Sequence, residues 1–140
     1  GVLAERLGVA LTTLRPGPIY GSRDHKFTQK LADRVNGSWT LVPNVRLPMV
    51  HAGDVALGVV AALQTPKSEG KVYNFGGVSQ PLPEVLRTVA EILDRPCRVI
   101  SVPAGLGVRF DDGAAERDLG LQHRPLVDGL REALYTPDTE

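Results

Sequence analysis

Cysteine occurs once, at Cys97, so the chain can build neither an internal disulfide framework nor a multi-cysteine zinc site. That usage fits a reducing compartment and predicts a cytoplasmic location. Charge of one sign is not in excess: 16 basic and 16 acidic residues give zero formal net charge. No nucleic-acid partner and no anionic membrane surface is therefore expected. An apolar run of about 18 residues is missing, as is a charged-then-apolar leader, so neither a transmembrane helix nor a signal peptide is predicted. No Gly-x-Gly-x-x-Gly occurs; Gly105-Leu106-Gly107 is followed by Val108-Arg109-Phe110 and lacks the third glycine. A phosphate cradle of that type is thereby excluded. There is no P-loop, no Gly-x-Ser-x-Gly elbow and no His-Glu-x-x-His. His25, His51 and His123 lie scattered, without metal-ligand spacing, so no metal is expected.

What is present has the length and balance of one globular domain: 140 residues, 42% hydrophobic and 23% charged. The chain opens at Gly1, without methionine and inside a helix-like run closed by Gly8, which predicts a fragment. Val9 to Leu14 reads as a buried strand. Phe27, Leu31 and Val35 recur every four residues and predict an amphipathic helix started by Ser22-Arg23-Asp24-His25 and closed by Asn36-Gly37. Ser38 to Val42 and Leu47 to Ala52 read as extended, with Trp39 expected over a neighbouring loop. Val55 to Leu63 reads as a buried helix capped by Asp54. Lys71 to Phe75 alternates like a strand, and Ser79 to Pro83 is expected to open a helix whose buried face holds Val85, Leu86, Val89, Ile92 and Leu93. A strand at Arg98 to Val102, a glycine-rich loop over 103–110, a short helix from Ala114 to Leu119 and a terminal helix through Leu126, Leu130 and Leu134 complete the chain. The last five residues are expected to fray. Alternating strands and helices place the class at α/β or α+β.

The stretch Leu14-Arg-Pro-Gly-Pro-Ile-Tyr-Gly21 concentrates the chain's unusual backbone chemistry. Its two prolines cannot donate to a ladder and its two glycines permit close approach, so it predicts a bare, fixed loop at a strand end. Ligands of open α/β sheets sit there, and the loop is expected either to offer main-chain groups to a ligand or simply to turn the chain. His51 and Asp54, three apart, could form an acid/base pair; the preferred reading makes Asp54 a cap and His51 a packing or cavity-lining residue. Arg15, Arg23 and Arg46 could clamp an anion. Tyr20 has no lysine nearby in sequence and reads as packing.

Taken together, Leu14-Arg-Pro-Gly-Pro-Ile-Tyr-Gly21, Val50-His-Ala-Gly-Asp-Val-Ala56, Gly70-Lys-Val-Tyr-Asn-Phe-Gly-Gly77, Phe110-Asp and Glu116-Arg-Asp-Leu-Gly120 resemble, in order and spacing, the C-terminal half of extended short-chain dehydrogenases/reductases, the NAD-dependent epimerase/dehydratase superfamily. The resemblance implies an α/β fold: the C-terminal part of a doubly wound Rossmann-type domain interleaved with a small substrate-binding subdomain. Residues 1–140 would form a single fragment, with the cofactor-binding half absent. The family's Tyr-x-x-x-Lys is not found: Tyr20, Tyr73 and Tyr135 are followed four residues on by Asp24, Gly77 and Thr139. No catalytic residue is therefore assigned. By resemblance, Pro16, Gly17, Pro18 and Ile19 lie against the nicotinamide of NAD or NADP, and Arg23, Phe27, Arg46 and His51 line the pocket of a small-molecule substrate. Many nucleotide-sugar members carry Asn where Pro18 stands, which favours a carbonyl or alcohol oxidoreductase. A nucleotide-sugar epimerase or dehydratase is the alternative. A non-catalytic α/β binding module, covering its open sheet edge as a homo-oligomer, is another.

Overall fold

The computed structural model describes residues 2–104 and 107–135. Gly105 and Leu106 of the glycine-rich loop, and the five terminal residues expected to fray, lie outside that range. Among the described residues six helices and seven strands follow one another as α1 Val2–Leu7, β1 Thr13–Pro16, β2 Ile19–Tyr20, α2 Phe27–Arg34, β3 Trp39–Pro43, β4 Arg46–His51, α3 Ala52–Gln64, β5 Val72–Phe75, β6 Val78–Pro81, α4 Leu82–Ile92, β7 Arg98–Val102, α5 Gly113–Leu119 and α6 Leu126–Tyr135, with a 3-10 turn at Pro66–Ser68. The strands form three small sheets. β1 runs parallel to β5 from Thr13 opposite Val72 to Pro16 opposite Phe75. β4 sits between β2, parallel, and β6, antiparallel, and β3 pairs in parallel with β7.

Two cores sit beneath these sheets. The larger joins Tyr20, Val42 and Met49 of the strands to Leu31, Val89 and Leu130 of α2, α4 and α6. On α4, Val85, Leu86, Val89 and Ile92 face inward together because 3.6 residues per turn bring them to one side. The smaller core gathers Tyr73 and Phe75 of β5 with Ala115 and Leu121. Gly58 of α3 lies directly on Phe75, where a β-carbon would come within 2.0 Å of the ring.

Four expectations change. The first strand starts at Thr13 rather than Val9, because its ladder begins where the Thr13 N–H reaches the Lys71 carbonyl at 2.9 Å. Ser79 to Pro81 is strand, paired with Arg46 to Pro48, and α4 begins only after Pro81. Pro83 is tolerated in its first turn, where no intrahelical donor is lost. Trp39 points outward and is 62% exposed, since Thr40 and Val42 take the inward positions of β3. Finally, α3 is apolar on all sides but is not buried: Leu57, Val60 and Leu63 are 65%, 49% and 83% exposed. Among the described residues nothing covers that stripe. No described helix is long and apolar enough to cross a membrane.

Candidate functional site

The proline loop is bracketed by strands on both sides rather than hanging free. Thr13 and Gly17 direct their N–H groups to β5, with Gly17 donating to the Phe75 carbonyl at 2.8 Å. By the alternation of a strand, Pro16 presents its donorless nitrogen to the other edge of β1, where proline is tolerated. The Pro18 carbonyl accepts from the Val50 N–H at 3.0 Å, which ties the loop to β4. Gly17 is needed for space: a β-carbon there would lie 3.1 Å from the Gly76 carbonyl oxygen. Of the main-chain groups expected to face a ligand, the N–H donors of residues 16–18 are not free. Pro16 and Pro18 have none, and the Gly17 N–H is engaged. The loop presents exposed pyrrolidine rings and the Ile19 side chain instead.

Beyond the loop lies an open cleft of about 290 Å³ lined by Ile19, Tyr20, Gly21, Arg23, Asp24 and Ala52. Arg23 is exposed at its rim. Asp24 is occupied below it: its carboxylate accepts from the Lys26, Phe27 and Thr28 N–H groups at 2.7 to 3.0 Å and from the Thr28 hydroxyl at 3.1 Å. Burial acts to raise that carboxyl, but these donors outweigh it and hold it below its ordinary value. Phe27 does not line the cleft; it packs on the larger core. Arg46, at the start of β4, donates to the Ser79 carbonyl of β6.

His51 forms neither a rim residue nor an acid/base pair with Asp54. It is 4% exposed, its Nδ1 accepts from the Gly53 N–H at 3.0 Å, and it is the N-cap of α3. The expected capping role of Asp54 passes to His51, because the helix begins at Ala52 and leaves Asp54 inside its first turn. Asp54 instead takes two bonds from Arg124, Nε to Oδ1 at 2.9 Å and backbone N–H to Oδ2 at 3.0 Å. Arg124 also donates to Glu132 Oε2 at 2.6 Å, and Glu132 Oε1 lies 3.7 Å from His51 Nε2. Tyr20 meets the His51 ring edge-on with centroids 5.2 Å apart. Burial, then Asp54, pushes the Tyr20 hydroxyl up to about 12, so it remains neutral and acts as packing. Arg124 and Glu132 carried no motif; they meet Asp54 and His51 only because α6 folds against α3's first turn.

A second cluster closes the far side of the loop. Asp112, just before α5, accepts from the Gly76 N–H at 2.7 Å, from the Gly77 N–H at 2.9 Å, and lies 2.8 Å from His123 Nε2. The Phe110-Asp motif points to this neighbourhood, but the residue that bonds the glycines is Asp112. Among the described residues no group of three or more His, Cys, Asp or Glu could hold a metal ion.

No protein-family model matches the chain. A curated relative, the mitochondrial NADH dehydrogenase [ubiquinone] 1 alpha subcomplex subunit 9 of Dictyostelium discoideum, is 36% identical over 70 residues, which cover 47% of this chain and 19% of that protein. Among solved structures, UDP-glucose 4-epimerase of Thermotoga maritima with UDP-glucose aligns with a TM-score of 0.78 and 19% identity over 96% of this chain and 48% of its own. RMD of Pseudomonas aeruginosa complexed with NADPH gives 0.77 and 17% identity over 95% of this chain and 50% of its own. UDP-glucuronic acid 4-epimerase of Bacillus cereus with UDP-glucuronic acid and NAD gives 0.74 and 20% identity over 96% and 47%. These likenesses show the fold alone: a mixed α/β, Rossmann-like architecture shared with those epimerase and NADPH-bound structures. The chain spans about half the length of those solved relatives and a fifth of the curated one.

Proposed function

We propose that residues 1–140 form the substrate-binding portion of an NAD(P)-dependent oxidoreductase acting on a carbonyl or alcohol by hydride transfer, and that a separate upstream half carries the cofactor's phosphate site and the acid/base residues. The observation that supports this reading is the junction at Pro16 to Ile19, where an apolar loop at the carboxyl end of a parallel strand pair borders a cleft with one arginine on its rim. The chain's residues fit one end of such a cofactor. Exposed pyrrolidine rings and Ile19 suit a flat nicotinamide face, and Gly17 lets the loop lie close against Gly76. They do not fit the pyrophosphate, for which no glycine cradle exists in this sequence. Nicotinamide, when bound, supplies the hydride; the protein supplies orientation.

In this reading Arg23 faces an anionic or polar part of the substrate, Phe27, on the larger core, and His51, next to Ala52, back the cleft, and Arg46, at the other end of β4, stands apart from it. Ala52 keeps the cleft open. The uncovered stripe of α3 and the edge of β1 that carries Pro16 are where the upstream half docks. The single cysteine supports a cytoplasmic location.

A second reading, a non-catalytic subunit of a larger assembly, is favoured by the curated relative, whose name is that of a complex subunit. Titration with NADH and NADPH, followed by nicotinamide fluorescence with sedimentation on the same samples, separates the two. The chain alone should show no saturable binding below millimolar concentration, and the upstream half of its reading frame should restore it. Tight binding by the chain alone as a monomer overturns the fragment reading. No binding even with the upstream half favours the non-catalytic subunit.

A further inference from the structure

The Pro16–Ile19 loop owes its position to groups that lie far from it in sequence. Gly17 rests on Gly76, whose carbonyl oxygen a Gly17 β-carbon would meet at 3.1 Å. Pro18 is held by the Val50 N–H, and Val50 in turn packs against Gly77: a β-carbon there would lie 2.7 Å from the Val50 α-carbon and 2.0 Å from the Met49 carbonyl oxygen. Gly77 has φ +76°, a conformation that favours glycine, and Gly76 has no room beneath Phe110, whose β-carbon would sit 2.1 Å away. Both anchor points of the loop therefore rest on one two-residue turn.

That turn has two adjacent N–H groups, and both bond to Asp112: Gly76 to Oδ1 at 2.7 Å and Gly77 to Oδ2 at 2.9 Å. Asp112 is 8% exposed, and its Oδ2 lies 2.8 Å from His123 Nε2. A carboxylate can only accept, so His123 donates to it from Nε2. Its Nδ1 has no hydrogen-bond partner among the described residues. His123 thus orients Asp112, Asp112 fixes the glycine turn, and the turn carries the loop.

We propose that Asp112, oriented by His123, is a positioning residue for the cofactor-facing loop: it sets the spacing between Gly17 and the Pro18–Val50 tie, and with it the surface offered to nicotinamide. The role toward nicotinamide rests on the oxidoreductase reading; the mechanics of the loop do not. A purely structural bond would serve only to hold α5 onto β5. The other end of α5 already does this through Asp118, which accepts from Lys71 at 2.7 Å and from the Tyr73 hydroxyl at 3.0 Å. Asp118 is therefore the control.

The test is amide hydrogen exchange by NMR on this chain, comparing Asp112→Asn, His123→Ala, His123→Gln and Asp118→Asn. Asp112→Asn and His123→Ala should speed exchange at least tenfold at Gly76, Gly77, Gly17 and Val50. His123→Gln, which keeps a donor toward Asp112, should recover most of the protection. Asp118→Asn should leave those four amides unchanged while loosening β5 near Lys71. If Gly17 and Val50 exchange as in the parent in both Asp112→Asn and His123→Ala, the proposal is overturned. Should Asp112→Asn not fold, the two His123 variants decide alone. With the upstream half supplied, Asp112→Asn should raise the apparent Kd for NADH or NADPH at least tenfold and Asp118→Asn should not. If exchange responds as expected yet no nicotinamide binding is found in the assembled protein, the oxidoreductase reading falls and the loop mechanics stand.

Discussion

Arg124 holds Asp54 twice, through its Nε to Oδ1 at 2.9 Å and its backbone N–H to Oδ2 at 3.0 Å. The pair joins the approach to α6 to the first turn of α3, whose first residue, Ala52, lines the cleft. Asp54 is 4% exposed while Arg124 keeps contact with solvent, so the carboxylate has far more to lose from separation. Burial acts against the Arg124 charge, but the Asp54 bond and the nearby carboxylates outweigh it and hold the guanidinium above its ordinary value.

Asp54→Ala should therefore destabilise the chain by about 2 to 3 kcal/mol, the usual scale for losing charge-assisted bonds at a buried site. Asp54→Asn keeps one acceptor and should cost less. Urea unfolding monitored by circular dichroism measures both. A change of under about 0.5 kcal/mol for the alanine variant would show that the clamp contributes little.

The pH dependence should carry a signature of His51. Burial lowers its pKa most, Arg124 adds to the effect, and Glu132 and Asp54 oppose it; the neutral Tyr20 ring packs on its edge. The folded pKa is below the ordinary 6.5, so the unfolded chain takes up the proton first as pH falls. The stabilisation is whole above about pH 6.5 and declines as pH drops from there toward the folded pKa, with a slope of at most about 1.4 kcal/mol per pH unit. His51→Asn keeps a side-chain acceptor for the Gly53 N–H and removes the titration. Its stability should be flat where the parent's falls; parallel curves through this window would refute the assignment.

The elements that sequence patterns located best were those with a repeating apolar face. The four-residue spacing of Phe27, Leu31 and Val35 and the face of α4 mark real helices, since periodicity reflects which side meets the core. Boundaries beside proline were harder to read. Pro81 looks like a helix opener, but the pairing of β6 with Arg46 to Pro48 decides its state, and its partner there, Arg46, is distant in sequence. The composition of Val55 to Leu63 suggests burial because sequence reports what a helix is made to pack against, not what is packed there. Of the site, the Pro16 to Ile19 stretch was visible from its backbone chemistry. Arg124, Glu132, Asp112 and His123 were not assigned there, because their roles arise from contacts that only folding makes, such as Asp112 with His123 and Asp54 with Arg124, 11 and 70 residues apart.

Gly58 gives a test of close packing in the smaller core. In an exposed helix, replacing Gly by Ala gains about 1 kcal/mol. Here the added β-carbon would fall 2.0 Å from Phe75 Cε2 and 2.4 Å from Cζ, and Phe75 is fully buried. Overpacking typically costs about 1 to 3 kcal/mol, and this overlap lies at the severe end, so Gly58→Ala should lower stability despite its better helix propensity. A thermal melt showing stabilisation would mean that α3 can lift away from β5 freely.

The stripe on α3 should respond in the opposite way. Leu57, Val60 and Leu63 recur every three residues on one side of the helix, and Leu63 is 83% exposed. Residues already in water contribute little to folding, so Leu57→Lys with Leu63→Glu should change the unfolding free energy of the chain by less than about 0.5 kcal/mol. The same changes remove a contiguous apolar surface next to the open edge of β1, which is a place for association. Sedimentation should show less self-association of the double variant than of the parent at equal concentration. With the upstream half present, the variant should assemble with it at least tenfold more weakly. Unchanged assembly would move the docking surface off α3 and leave the edge of β1 to carry it alone. A large loss of stability in the isolated chain would instead show that the stripe is already packed, and that the uncovered face is not where an upstream half belongs.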